Sequence, residues 1–398
     1  MSDVEGLKQR VTAEVDARRE VLIRIADTIH ANPEIGFQEF ESAALLSRTL
    51  EENGFAVERG VADLETAFVA TLRGQAAGPT VAFLAEYDAL VGLGHACGHN
   101  LIGTAAVGAG LAVKTVLPEL AGTVQVIGTP AEEGGGGKAI LVDAGVFSEV
   151  DAAMMVHPSR ENLVGRLSLT AYPVHIAFFG KAAHAAAMPD KGVNALEAML
   201  LTFSGINALR QQLRDDARIH GVITHGGDAA NIVPDYTEAK FIVRAADTPY
   251  ATAVLEKVQA CAEGAAQATG ARLEFKQDGP RYDARLPNPK LVSLFKENMV
   301  ALGLEVKVAE GDERMGSSDI GNVSQVVPTI HPYVAIGPED LVGHSNEFRE
   351  ASVSPAGHEG LLMAAKAMAM TAVDLLAVPA NLSEARKAFE EQKKQQEG

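Results

Sequence analysis

Residues 80–117 read TVAFLAEYDALVGLGHACGHNLIGTAAVGAGLAVKTVL. Thr80–Ala85 is a short apolar run, the pattern of a strand buried on both faces. A polar segment follows, carrying Glu86-Tyr87-Asp88 and then His95-Ala96-Cys97-Gly98-His99-Asn100. From 100 to 117 the chain is apolar and rich in small residues, broken by Lys114. That stretch predicts a buried helix with Asn100 as its N-cap. Strand, ligand-bearing loop and helix form the repeating unit of an open α/β sheet, whose functional groups gather beyond the carboxyl ends of the strands.

The same rhythm extends to either side. Ala67–Leu72, Thr123–Gly128 and Ala152–Val156 are further short apolar runs, separated by helical patterns over 7–30, 38–53 and 137–144. This alternation predicts an α/β domain with a largely parallel sheet. From Leu167 the order changes. Strands are expected at Leu167–Gly180, Arg218–Thr224, Thr237–Ala245 and Arg272–Gln277, with helices at Val193–Leu213 and Tyr250–Ala268. That sequence is β-α-β-β-α-β, the split unit of ferredoxin-like sandwiches. The expected organisation is a discontinuous α/β domain, 1–168 with 286–398, interrupted by an α+β insert over 169–285. Pro280, Pro287 and Pro289 mark the return crossing. A helix over 290–303, a strand over 326–336 and a helix over 356–378 complete the first domain, and 381–398 is a charged helix or frayed tail.

Bulk properties narrow the function. The chain has 398 residues, 47% hydrophobic and 22% charged, enough for two domains with ordinary cores. Cys97 and Cys261 are its two cysteines, which excludes a disulfide framework and suggests a reducing, cytoplasmic setting. The first twenty residues are highly charged and lack the pattern of a signal peptide. A net charge of −18 disfavours nucleic acid and anionic membrane as partners. A small-molecule enzyme is the expectation left standing.

Ligand-type residues recur at the strand ends. Strand 123–128 leads to Pro130-Ala131-Glu132-Glu133, strand 152–156 to His157, and the later strand 326–336 precedes Gly343-His344-Ser345. Thiol, imidazole and carboxylate together suit zinc and its neighbours better than calcium or magnesium. A helix N-terminus beside Cys97 favours its thiolate, against the plainer reading of a buried structural cysteine. His95 is the weaker ligand candidate and suits a packing role. If Glu132 and Glu133 are extended, their side chains point to opposite sides, so one carboxylate can bind metal while the other faces water. The run Gly134–Gly137 with Lys138 lacks the first glycine and the hydroxyl residue of a phosphate loop, and reads as a tight turn. In the insert, His184, Asn231 and Arg244 each read as structural or solvated when taken alone.

The motifs AEYDAL, GHACGHNLIG, TPAEEGGGGK, VHP, GKAAHAAAMP, ANIVPD, GSSDIGNVSQVVPTIHPY and GHSNEF occur in this order across nearly the whole chain. Together they resemble the dinuclear-metal aminoacylase, carboxypeptidase-G and hippurate-hydrolase superfamily, and more narrowly its aminobenzoyl-glutamate hydrolase and β-alanyl-lysine dipeptidase branch. The resemblance implies a metallo-hydrolase domain with an inserted lid and dimerisation domain, assembled as a homodimer. It implies two divalent ions, zinc or manganese, held by Cys97, His99, Glu133, His157 and His344, with one ligand bridging. Glu132 would be the general base, Asp88 would orient a ligand, and His184 would stabilise the oxyanion in a neighbouring active site. Asn231 and Arg244 would hold the substrate carboxylate.

The implied activity is hydrolysis of the amide in an N-acyl, aminobenzoyl or aminoacyl amino acid, or a dipeptide. Many relatives have Asp after Cys-Gly-His where this chain has Asn100; the resemblance implies that this marks the aminobenzoyl-glutamate branch rather than lost activity, with weaker binding expected at a second metal position because Asn brings no negative charge. Two alternatives stand beside this reading: a catalytically silent protein that binds a carboxylated ligand, and a hydrolase of another C–N bond, in an aryl amine or carbamoyl group.

Overall fold

The structure is a computed structural model that describes residues 3–311 and 315–397. The chain divides into two compact units, Met1–Leu167 with Arg285–Gly398, and Ser168–Ala284.

The larger unit is built on a six-stranded sheet in the order Ala56–Arg59, Phe68–Arg73, Ala121–Gly128, Ala76–Ala85, Ala152–Met154, Thr329–Ile330. The last four strands are parallel neighbours, and the first two add an antiparallel edge. Register decides where the loops emerge. Ala85 pairs with Gly128, Phe83 with Met154, and Met154 with Ile330. Glu86, Thr129, Val156 and His331 therefore leave the sheet at one edge.

Helix His99–Lys114 begins at that edge and is buried from His99 to Val113. Its cap is Gly98, in the left-handed region, and not Asn100. The asparagine lies inside the first turn, with Nδ2 donating to the carbonyls of Ala26 and Ser352 at 3.4 Å each. Loop geometry outweighs the capping preference because a Cβ on residue 98 would stand 2.8 Å from Cγ of Pro158. Helix Pro355–Ala377 is apolar enough to cross a membrane, but 89% of its apolar window is buried in the protein. Each fully buried Leu or Met there contributes about 1.5–3 kcal/mol, so core packing accounts for its composition.

Two expected elements differ. The pattern over 7–30 forms two helices, Val4–Ala17 and Arg19–Ala31, broken at Arg18. The apolar run 326–336 forms two short strands rather than one. Thr329–Ile330 joins the main sheet, whereas Tyr333–Ala335 pairs with His157–Ser159 in a separate four-stranded sheet. Pro332 lies between them and cannot donate to a ladder, so the chain changes sheets there.

The smaller unit has a four-stranded antiparallel sheet in the order Arg272–Gln277, Thr170–Phe179, Tyr236–Ala245, Arg218–His225. Helices Ala195–Leu209 and Thr248–Thr269 complete the ferredoxin-like order. Thr237, Ala239, Phe241, Val243 and Ala245 alternate inward along one strand, which sets its register. Asn194 and Asp247 cap the two helices, each accepting backbone amides in the first turn.

Candidate metal centre

The shared sheet edge brings the ligand candidates together. Cys97, His99 and His157 have ligand atoms within 4.8 Å of one another, and so do Cys97, Glu133 and His344. Cys97 belongs to both groups. A third group, His99, Glu132 and Glu133, adds the remaining carboxylate. Cys97 Sγ lies 3.4 Å from His157 Nε2, and His344 Nε2 lies 3.5 Å from Glu133 Oε1. Ligands on one tetrahedral zinc are separated by about 3.3–3.8 Å, given bonds of about 2.0–2.3 Å.

Backbone conformation holds this set in place. The turn at Ala131–Gly136 is closed by glycines, and Ala131 itself adopts φ 57°. The Glu132–Glu133 segment is therefore a turn, not the extended pair that places neighbours on opposite sides. Both carboxylates approach His99 instead. His344 has φ 60°, and its amide donates to the carbonyl of Ala96 at 3.0 Å. That contact ties the late loop to the Cys97 segment.

Asp88 links two of the candidates. Its Oδ1 accepts from His99 Nδ1 and its Oδ2 from the Glu133 amide, both at 2.9 Å. Burial alone would raise the Asp88 carboxyl, but the His99 charge and hydrogen bond, the Glu133 amide and Lys138 hold it down to about 2. As an ionised acceptor it holds a proton on His99 Nδ1, so that Nε2, once it gives up its own proton, is the nitrogen a metal would meet.

The donor set fits a cation. His99 Nε2 and Glu133 Oε1 are buried without a hydrogen-bond partner, a condition that costs about 1–3 kcal/mol per group unless something satisfies it. Burial pushes the Cys97 thiol up to about 12, so a thiolate there needs a counter-charge beyond the helix end. A bound cation would supply the missing counter-charge. Burial, with the His99 charge next, pushes His157 down to about 4, which keeps it a neutral ligand. His95 is buried outside the three groups, its imidazole pushed down to about 3 by burial and then by His99 and His30.

Sequence reasoning missed part of this neighbourhood. Lys138, which follows the glycine run, is fully buried and donates to Glu86 and to Asp319, the latter at 2.9 Å, so one cation is shared by two buried acids. Glu86 Oε2 lies 3.5 Å from His99 Nε2. A cleft of about 770 Å³ is lined by Cys97, Glu132, His157 and His344 together with His331 and Tyr333. His331 follows a strand of the parallel sheet, as His157 does, and the same rule of strand ends would have singled it out. Burial, followed by the charge of Arg285, pushes its imidazole well below the ordinary range.

The insert carries the other expected site residues. His184 and Ile232 form a β-bridge, and the Ala185 amide donates to the Asn231 carbonyl at 3.0 Å, so the His184 and Asn231 segments adjoin. His184 Nδ1 accepts from the amides of Ala186 and Ala187 at 3.3 and 3.2 Å. Arg244 sits on Tyr236–Ala245 between the inward-facing Val243 and Ala245, on the opposite face of the sheet. Its Nε is buried without a hydrogen-bond partner.

Known proteins resemble this one along most of the chain. Residues 82–369 match the family described as Peptidase family M20/M25/M40. A Xaa-Arg dipeptidase from Mus musculus is 40% identical over 98% of this chain and 93% of its own length. A p-aminobenzoyl-glutamate hydrolase subunit from Escherichia coli is 32% identical over 91% of this chain and 90% of its own. The crystal structure of a dinuclear metal binding peptidase from Bacillus subtilis superposes with a TM-score of 0.70 at 24% identity, covering 91% of this chain and 99% of that one. The chain belongs to peptidase family M20/M25/M40, and it is a metallo-hydrolase of amide C–N bonds.

Proposed function

We propose that this protein hydrolyses the amide joining an acyl, aminobenzoyl or aminoacyl group to an amino acid with a free carboxylate. Two divalent ions, zinc or manganese, would be held by Cys97, His99, Glu133, His157 and His344. The observation that carries this reading is that the five residues fall in overlapping ligand groups, with Cys97, His99 and Glu133 each common to two of them, a mixed donor set that would suit more than one ion. When bound, such ions supply Lewis acidity that eases proton loss from water and polarises a carbonyl.

The chain's own residues do the rest. Glu132, in the same group as His99 and Glu133, takes a proton from water as the C–O bond forms. It returns that proton to the amine nitrogen as the C–N bond breaks. Asp88 orients His99 and the Glu133 backbone. With Nδ1 of His184 accepting two amides, its proton rests on Nε2, the donor that a tetrahedral oxyanion needs. Asn231 and Arg244 take the substrate carboxylate, for which the guanidinium offers a two-pronged contact.

The insert would act as lid and dimerisation module. Its strand Arg218–His225 is paired on one side, and Val222 there is 60% exposed, a surface suited to a second copy. The relatives named dipeptidase and aminobenzoyl-glutamate hydrolase support the substrate class. The test is a panel of N-acyl and aminoacyl amino acids given to metal-reconstituted protein, with Glu132→Gln as control. Hydrolysis by the wild type and its loss in the variant are expected; equal rates in both would refute the mechanism.

A further inference from the structure

The cleft beside the ligand set contains polar groups that metal binding does not use. His331 is 7% exposed, and neither ring nitrogen has a hydrogen-bond partner. Its ring stands edge-on to His157, with 5.5 Å between centroids, and lies 5.3 Å from the ring of Tyr333. Ser317 Oγ, in the same cleft, is likewise buried without a partner. Buried polar groups in native proteins are nearly all paired with protein, water or a ligand, so these three atoms call for partners in the cleft.

The surrounding groups say what that ligand carries. Tyr333 accepts from Arg285 Nη1 at 2.8 Å, which leaves the phenol proton available to another acceptor. Arg166 and Arg285 place their guanidinium carbons 5.3 and 5.7 Å from the Tyr333 ring centroid. Glu161, which also lines the cleft, is paired with Lys307 at 2.8 Å. Imidazole N–H, phenol, hydroxyl and guanidinium are all donors. A carboxylate, with two oxygens and no proton, is the common organic group that accepts from several donors at once.

We propose that His331, Tyr333 and Arg285 form a subsite for a second carboxylate of the substrate, distinct from the one assigned to Asn231 and Arg244. This rests on reading the cleft as the substrate site. The protein is then selective for amides bearing an additional acidic group, either on the acyl portion or on the amino-acid side chain.

The experiment is calorimetric binding to full-length, metal-reconstituted Glu132→Gln protein. One pair of ligands, N-acetylglutamate against N-acetylglutamine, places the carboxylate on the amino-acid side. The other, N-succinylglycine against N-succinamoylglycine, places it on the acyl side. The acid of at least one pair should bind about tenfold more tightly than its amide, as expected for charge-assisted hydrogen bonds. Adding Arg285→Gln, or Arg285→Met should the first variant fold poorly, should abolish that preference. His331→Phe, which keeps a ring against His157, should weaken the acid with metal content unchanged.

Equal binding within both pairs, or a preference that survives loss of Arg285, overturns the proposal. So does a His331→Phe protein that loses metal but keeps the preference, since His331 would then only support His157. Glutarate, which has no amide, separates the two claims. If glutarate binding depends on Arg285 while the wild type hydrolyses no amide, the subsite stands and the proposed reaction fails.

Discussion

Oδ1 of Asp88 accepts a hydrogen bond from Nδ1 of His99 at 2.9 Å, with both side chains out of solvent. This contact holds a proton on Nδ1, so Nε2 is the nitrogen that His99 would offer to a cation. Asp88→Asn keeps the shape but removes the charge. Metal affinity should fall by about 10–100-fold, the usual effect of losing such a partner, while far-ultraviolet circular dichroism stays unchanged. Competition against a chromogenic chelator measures it; unchanged affinity would remove the orienting role of Asp88.

Gly98 permits the turn between Cys97 and His99. It has φ 78°, and an added Cβ would meet Cγ of Pro158 at 2.8 Å. Gly98→Ala should destabilise the protein by about 1–3 kcal/mol from backbone strain and overpacking. The same shift displaces two ligand candidates, so metal binding should weaken in parallel. Thermal unfolding with and without added metal checks both effects.

Lys138 reaches Glu86 and Asp319 at full burial. Lys138→Met leaves two buried acids without their cation, a change that typically costs about 3–5 kcal/mol. Lys138→Arg should recover part of that loss. Urea denaturation distinguishes the cases, and a Met variant as stable as wild type would show that the ion cluster contributes little.

A pH effect arises in the insert. The hydrogen bond from Arg214 holds Asp216 down to about 2, against an ordinary 3.8. A carboxylate depressed in the folded state contributes stability above its unfolded value, and that contribution disappears as pH falls through the folded one. Wild-type stability should therefore drop more steeply between pH 4 and pH 2 than that of Asp216→Asn. Because Asp216 is partly exposed, the difference is modest and shrinks in high salt.

Much of the site is legible because its residues follow buried strands. The runs ending at Ala85, Gly128 and Val156 announce themselves by apolarity, and register then carries Asp88, Glu133 and His157 to one edge. The ferredoxin-like insert is legible from its β-α-β-β-α-β order. Contacts between distant segments are not. Nothing in the sequence near Lys138 indicates that Asp319 will be its partner, and the role of His331 depends on Pro332 redirecting the chain between two sheets. Whether Glu132–Glu133 is extended or a turn is open in sequence because the glycines that close the turn follow the pair rather than divide it. Asn100 reads as a cap because a left-handed Gly98 has no sequence mark beyond glycine itself.

The account stands on Cys97 being a ligand within overlapping groups that also share His99 and Glu133. Elemental analysis combined with metal-edge X-ray absorption of wild type and Cys97→Ser tests that directly. The wild type should carry two equivalents of divalent metal per chain, with a sulfur neighbour at about 2.3 Å. In Cys97→Ser the sulfur neighbour should vanish and both equivalents should bind more weakly. Trace metal in carefully reconstituted wild type, or a sulfur-free spectrum at full loading, would contradict it.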